Sequence, residues 1–331
     1  ACPECGPRLL DLDAATAARR LREGRLLAVK GLGGFHLACD AGNEEAVREL
    51  RLRKGRDEKP LAIMVPGLAE ARRLCEVSPE EAELLLGSEG AIVLLRRREG
   101  GGIAESVAPG NPLLGLMLPY TPLHHLLMEA GRPLVMTSGN ASEEPMVHRD
   151  DDARRALGPI ADDFLTHDRG IHSRCDDSVT RILAGRPVIL RRSRGHAPAP
   201  LRLPIPCGVP TLALGGALKS VFALGRGPEA ILSHHLGDLD AYEAYRAYVS
   251  AIDLYEKLFH FTPDVIVHDL HPDYPSTRYA LERQGVRTFA VQHHHAHMAS
   301  CMAENGLVGP VIGVTFDGTG YGSDGTIWGG E

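Results

Sequence analysis

Residues 292–300 read QHHHAHMAS, and four of the chain's 16 histidines fall within five of those positions. On a helix, residues four apart share a face, so His293 and His297 point the same way, at a spacing suited to one metal ion. His294 and His295 point elsewhere and receive no role. The helical pattern runs from Ala296 to Glu304. The histidine pair therefore sits in an N-terminal turn, whose free N–H groups favour the neutral, metal-binding imidazole. Downstream, the apolar run VIGVTF is expected to be a strand with Asp317 at its end, where a carboxylate can take a metal or a magnesium-bound phosphate. The loop DGTGYGSDG (317–325) brings the amides of Gly318, Thr319 and Gly320 within reach of phosphate oxygens. LGGALKS (214–220) does the same around Lys219. A tight hairpin turn is the plain alternative for each loop.

A second group of reactive side chains lies in the first half of the chain. RLRKGRDEKPLAIM (51–64) packs Arg51, Arg53, Lys54, Arg56 and Lys59 just before an apolar strand. A solvated helix end would explain a charge run. Against that, Lys59-Pro60 stands at a strand edge, where side chains are held, and the surrounding chain is acidic. Clustered Arg and Lys suit a polyphosphate. The stretch TSGN (137–140) places Ser138 and Asn140 at another strand's end, where open α/β sheets bind ligands. RCDDSVTR adds Ser178, and LRRSRGHAP adds Arg191 and Arg194. The glycine-rich KGLGGFHLACDA (30–41) allows close approach of backbone amides, a weak signal taken alone.

Seven cysteines, mostly isolated, do not form a disulfide framework. Only Cys2 and Cys5, in CPECG, have metal-ligand spacing. A closed structural zinc site needs two more ligands. The pair is either half of a site whose partners lay upstream or a chance spacing.

These groups must be carried by more than one core, since 331 residues exceed one typical domain. The composition, 44% apolar and 24% charged, is that of a soluble globular protein. The net charge of −7 argues against a general nucleic-acid binder. No run of 18 apolar residues suggests a membrane span and no leader pattern opens the chain, so a cytoplasmic protein is expected. Short apolar runs at 25–30, 61–65, 91–95, 133–137 and 187–192 alternate with amphipathic segments. Ser78-Pro79 and Thr121-Pro122 each place an N-cap residue before proline at the first helical position. Residues 197–210 are proline-rich and are expected to be a stiff linker. Beyond them the pattern predicts three closely spaced strands (TLAL, SVFALG, EAILSHH). A helix over about 238–260, a strand DVIVHD, a helix over 275–284 and a strand RTFAV complete it. The expected fold class is α/β throughout, with an actin/Hsp70-like second half.

Over most of 11–200, the combination KGLGGFHLACDA, RKGRDEKPLAIM, TSGN and DDSV resembles the YrdC family of adenylate-forming domains. That resemblance implies that Lys54, Arg56 and Lys59 hold the triphosphate of ATP with Mg2+. It also implies that Ser138, Asn140 and Ser178 line the nucleotide pocket, with Arg191 and Arg194 nearby. The second half is similar to the actin-like (ASKHA) carbamoyl- and threonylcarbamoyl-transferases. There, H-x-x-x-H matches His293 and His297, and the strand-end aspartate matches Asp317, with a further aspartate expected nearer the family's C-terminus. The implied metal is zinc or iron.

The order of the halves, with CPECGPRL at the start, resembles the hydrogenase maturation carbamoyltransferases of the HypF type. LSHHLGDL, HDLHPDYPSTRYA and FDGTGYGSDGTIWGGE carry the same likeness. Residues 1–10 then read as a remnant of a zinc-knuckle region and 11–196 as the YrdC-like domain. Residues 211–331 read as the start of the transferase domain, and the chain as a fragment. The resemblance implies carbamoyl phosphate and ATP as substrates. It also implies transfer of the carbamoyl group to the C-terminal cysteine of a HypE-type partner for cyanide ligand synthesis. Neither nucleic acid nor membrane is an expected partner. The alternatives are an O-carbamoyltransferase, a tRNA threonylcarbamoylation enzyme or a non-enzymatic ATP-binding regulatory module. A zinc hydrolase on His293 and His297 lacks the glutamate of H-E-x-x-H, since position 294 is His.

Overall fold

The computed structural model describes residue 4 and residues 6–129, 131–141 and 144–331; Cys2 and Cys5 lie outside the described residues. The chain folds as two compact units, which divide between His196 and Ala197.

The first unit contains α1 (Ala14–Arg22), β1 (Leu27–Lys30), β2 (Phe35–Asp40), α2 (Glu44–Lys54), β3 (Ile63–Met64), α3 (Leu68–Leu74), β4 (Cys75–Glu76) and α4 (Pro79–Leu86). It continues with β5 (Ile92–Arg97), β6 (Leu113–Met117), α5 (Pro122–Met128), β7 (Leu134–Ser138), α6 (Asp150–Leu157), β8 (Asp163–Leu165), β9 (Val179–Leu183) and β10 (Arg186–Arg191). Among the described residues these strands form one mixed sheet in the order β10-β9-β5-β6-β3-β7-β2-β1-β8, with β4 against β5.

Successive strand residues point to opposite faces, and the core follows that alternation. Ala28, Phe35, Leu37 and Cys39 pack with Val47 and Leu50 of α2, Leu74 of α3, Leu85 of α4 and Leu157 of α6. Leu27, Val29, Ala38 and Met136 pack with Ala17 and Leu21 of α1 and Leu123 and Leu127 of α5. Helices thus cover both faces, and central strands are buried along their whole length. The expected caps form: Ser78 makes a full capping box with Glu81, and Thr121 accepts from His124 N–H, each before a proline.

The second unit contains β11 (Pro200–Leu214), β12 (Phe222–Leu232), α7 (Tyr242–Leu258), β13 (Val265–Asp269), α8 (Pro275–Glu282), β14 (Arg287–Val291), α9 (His293–Glu304), β15 (Gly320–Tyr321) and β16 (Ile327–Trp328). Its sheet runs β12-β11-β13-β14, antiparallel between β11 and β12 and parallel from β11 through β14. Leu212, Phe222, Leu224, Tyr248, Ile252, Tyr255 and Ile266 form its core.

Three expectations are corrected here. Residues 197–210 are not the expected stiff linker, because Pro200–Leu214 is one strand paired with β12. Proline fits extended backbone but donates nothing to a ladder. The pairing accordingly shifts register between Arg202 and Cys207 and again before Thr211, around Pro204, Pro206 and Pro210. The separate runs SVFALG and EAILSHH merge into the single β12, since Gly227, with φ +54°, is accommodated inside the strand instead of ending it. VIGVTF forms no strand: residues 311–316 belong to no sheet, with Ile312 96% and Phe316 90% exposed. No helix among the described residues is long and apolar enough to cross a membrane.

Candidate functional site

In the first unit, α2 ends at Gly55, whose left-handed conformation turns the chain into the basic loop 56–60. Arg51 holds this loop by donating to the carbonyls of Arg56, Asp57 and Lys59, and also to those of Ser106 and Val107. Arg53 pairs with Glu49 and Asp162. Both are scaffold arginines.

Lys54 is buried, and its ammonium donates to Ser138 O and Asn140 O at 2.6 Å and to Asn140 Oδ1 at 2.7 Å. Ser138 Oγ donates to the same Asn140 Oδ1 at 2.7 Å. The TSGN turn at the end of β7 is thus tied to the end of α2. Burial, reinforced by Arg56, lowers the Lys54 pKa to about 7 against the opposing pull of Asp176. Arg56 donates to Lys59 O and Pro60 O, and burial together with Arg51 and Arg191 lowers its pKa to about 10. Arg51 and Arg191 thus both oppose the charge on Arg56. Lys59 and Arg191 are exposed. A polyanion would relieve this repulsion.

Ser178 and Arg194 are placed differently. Ser178 is fully buried; its Oγ accepts from Ser193 N–H and donates to Arg194 O, both at 2.8 Å. Arg194 is held by Asp177 (2.7 Å) and by the carbonyls of Glu89 and Gly90, and it lies 3.5 Å above the Tyr120 ring. Tyr120 O–H is 3.0 Å from His36 Nε2, and His124 sits edge-on to Tyr120 with both ring nitrogens buried and unbonded. This buried network was not legible in the sequence. The glycines of GLGG serve it: a Cβ at Gly33 would strike the Cys175 carbonyl, and Gly31 lies against His36.

In the second unit, α9 starts at His293, three residues earlier than its apolar pattern suggests, with Gln292 capping it through His295 N–H. His293 Nε2 stands 3.2 Å from His297 Nε2 and 3.3 Å from Asp317 Oδ2, and His297 Nε2 stands 3.6 Å from that oxygen. Ligand atoms about 2.0–2.1 Å from one tetrahedral ion lie about 3.3–3.4 Å apart, so this triangle fits three ligands of a single metal. Both Asp317 oxygens are buried without an aligned hydrogen bond, which is the condition a cation would satisfy.

Two partners support these ligands. Asp269, at the end of β13, places Oδ2 2.6 Å from His293 Nδ1; this hydrogen bond is the main cause of a raised His293 pKa. His294 is buried and holds Nε2 2.7 Å from Asp317 Oδ1, while the Gln292 amide donates to its Nδ1.

The glycine-rich loops fall around this cluster. A Cβ on Gly216 would lie 3.5 Å from His293, and one on Gly320 would collide with His294. DGTGYGSDG carries β15 and the turn that leads to β16, with Gly318 and Thr319 exposed before the hairpin. Lys219 has φ +50°, its N–H donates to Asp238 Oδ1, and its side chain is exposed.

Comparison with known proteins gives the same division. Residues 19–193 match the Sua5/YciO/YrdC family, described as telomere recombination, and residues 207–304 match the HypF Kae1-like domain. The chain belongs to the HypF family. It is 48% identical over 95% of its length to the carbamoyltransferase HypF of Synechocystis, covering 41% of that protein. It is 47% identical over its full length to that of Rhodobacter capsulatus, covering 46%. A crystal structure of full-length HypF in the phosphate- and nucleotide-bound form superposes with TM-score 0.95 at 47% identity, over all of this chain and 45% of that one. This HypF-family chain therefore spans less than half the length of these HypF relatives.

Proposed function

We propose that the chain carries two successive sites of a cytoplasmic carbamoyltransferase of [NiFe] hydrogenase maturation. The first unit takes ATP with Mg2+ and carbamate derived from carbamoyl phosphate. A carbamate oxygen attacks the α-phosphorus, the bond to the β-phosphate breaks, and pyrophosphate leaves. Charge neutralisation and alignment are what this reaction needs from a protein. Arg56, Lys59 and Arg191 supply charge. Lys54 fixes the Ser138–Asn140 turn against the nucleotide, and Ser178 and Arg194 set the loop beside it.

In the second unit, the thiolate of the C-terminal cysteine of a HypE-type partner attacks the carbamoyl carbon, and AMP leaves. The chain then needs no nucleophile of its own. Lys219 and the amides of Gly318, Thr319 and Gly320 are assigned to the adenylate phosphate. His293, His297 and Asp317 would hold a zinc or iron ion, which when bound supplies a Lewis acid for that phosphate. Cys2 and Cys5 are assigned to half of a structural zinc site.

One observation carries this reading: His293, His297 and Asp317 form a triangle of metal-ligand atoms, on a chain whose other unit sets the charges of Arg51 and Arg191 against Arg56. The test is carbamate-dependent exchange of labelled pyrophosphate into ATP, together with carbamoylation of the partner's cysteine. His293→Ala should abolish carbamoylation and leave exchange intact. Loss of both activities, or no exchange by a chain that binds ATP, would overturn it.

A further inference from the structure

Asp269 lies 24 residues before His293 and matches no ligand motif, yet its carboxylate meets that histidine. Only 8% of the residue is exposed. Oδ1 accepts from His271 N–H at 2.8 Å and Oδ2 faces His293 Nδ1 at 2.6 Å. Its backbone carbonyl accepts from Thr277 Oγ1 at 3.3 Å and lies 2.7 Å from His268 Nδ1. The carboxylate is therefore pinned from both ends. An ionised carboxylate only accepts hydrogen bonds, so the imidazole must present a proton at Nδ1. The lone pair of neutral His293 then belongs to Nε2, the atom at the apex shared with His297 and Asp317.

We propose that Asp269 is the positioning residue of the cluster: it selects the His293 tautomer that can ligate a divalent cation and aims its lone pair at the triangle. The proposal rests on the metal reading given above. Such supporting carboxylates alter metal affinity without touching the ion. They act by fixing ring orientation, and His293 is the ligand with most to gain. His297 has no second anchor among the described residues, and its side chain is 52% exposed.

Asp269→Asn separates this role from simple support of the fold. With its oxygen left on His271 N–H, the amide turns an NH2 toward Nδ1, which then accepts, and the proton moves to Nε2, where it blocks ligation. With the amide reversed, two donors confront each other at His271. Titration of the metal-free chain with Co2+, read by visible absorption, and with Zn2+, read by equilibrium dialysis, should show affinity ~10–100-fold weaker in Asp269→Asn. Thr277→Val, which removes a neighbouring bond and leaves the carboxylate alone, should bind like wild type. Equal affinity in Asp269→Asn would overturn the proposal while the metal reading stands. A wild-type chain that binds neither metal would overturn both. Should Asp269→Asn fail to fold, 15N NMR of the metal-free wild type at alkaline pH decides: His293 should carry its proton on Nδ1, and a proton on Nε2 would overturn the assignment.

Discussion

At the residue scale, two buried polar groups of the first unit behave in opposite ways. The Ser178 hydroxyl is spent on Ser193 and Arg194. Ser178→Ala should therefore lower stability by ~1–3 kcal/mol, the cost of leaving buried backbone groups unpaired, as read by thermal unfolding. His124 is buried neutral, and burial lowers its pKa to about 3. Below about pH 6.5 the unfolded chain takes up a proton that the folded chain refuses. The folded state therefore loses stability as pH falls from 6.5 toward 3. The variant His124→Phe keeps the edge-on contact with Tyr120 and removes the titrating group. Its urea midpoint should fall less steeply between pH 6.5 and 4 than that of wild type; parallel profiles would remove His124 as the cause. Of this chemistry, the His293–His297 pair was readable because helical spacing is a local rule. Asp269 was not, because its meeting with His293 depends on β13 and β14 lying side by side. His294 was left without a role for a related reason: its partner, Asp317, is reached only through a loop.

At the element scale, glycines and prolines decided what sequence reading caught. Ser78-Pro79 and Thr121-Pro122 signal helix starts through local hydrogen bonding, and both form. Strand β2 (FHLACD) was hidden by its polar residues, since His36 and Asp40 are buried within the sheet. Prolines at 204, 206 and 210 suggested a linker, yet an extended strand accepts them wherever the partner's ladder can slip. GLGG was legible as a site of close approach, but what approaches Gly33 is the Cys175 carbonyl. Gly33→Ala should accordingly force the loop and the CDDS segment apart. The expected cost is ~1–3 kcal/mol of overpacking, with weaker ATP binding measured by calorimetric titration. Unchanged stability would show that the contact gives way freely.

At the scale of the whole molecule, each unit has its own core and its own candidate ligand. A ligand that binds only the folded form raises stability by mass action. Differential scanning calorimetry should therefore show ATP with Mg2+ raising the unfolding temperature of the first unit and Zn2+ raising that of the second. Movement of one shared transition by either ligand would contradict this separation.

The bare stretch 311–316 has a further consequence. Ile312 and Phe316 face water almost completely, and β14 offers the outer edge of its sheet with Phe289 53% exposed. Such surfaces recruit other chains into non-native ladders and greasy clusters. Concentrated solutions should scatter light increasingly with time, and Ile312→Glu with Phe316→Glu should slow that clouding. Purification would then face its main difficulty at a stretch that leads directly into Asp317 and the histidine cluster.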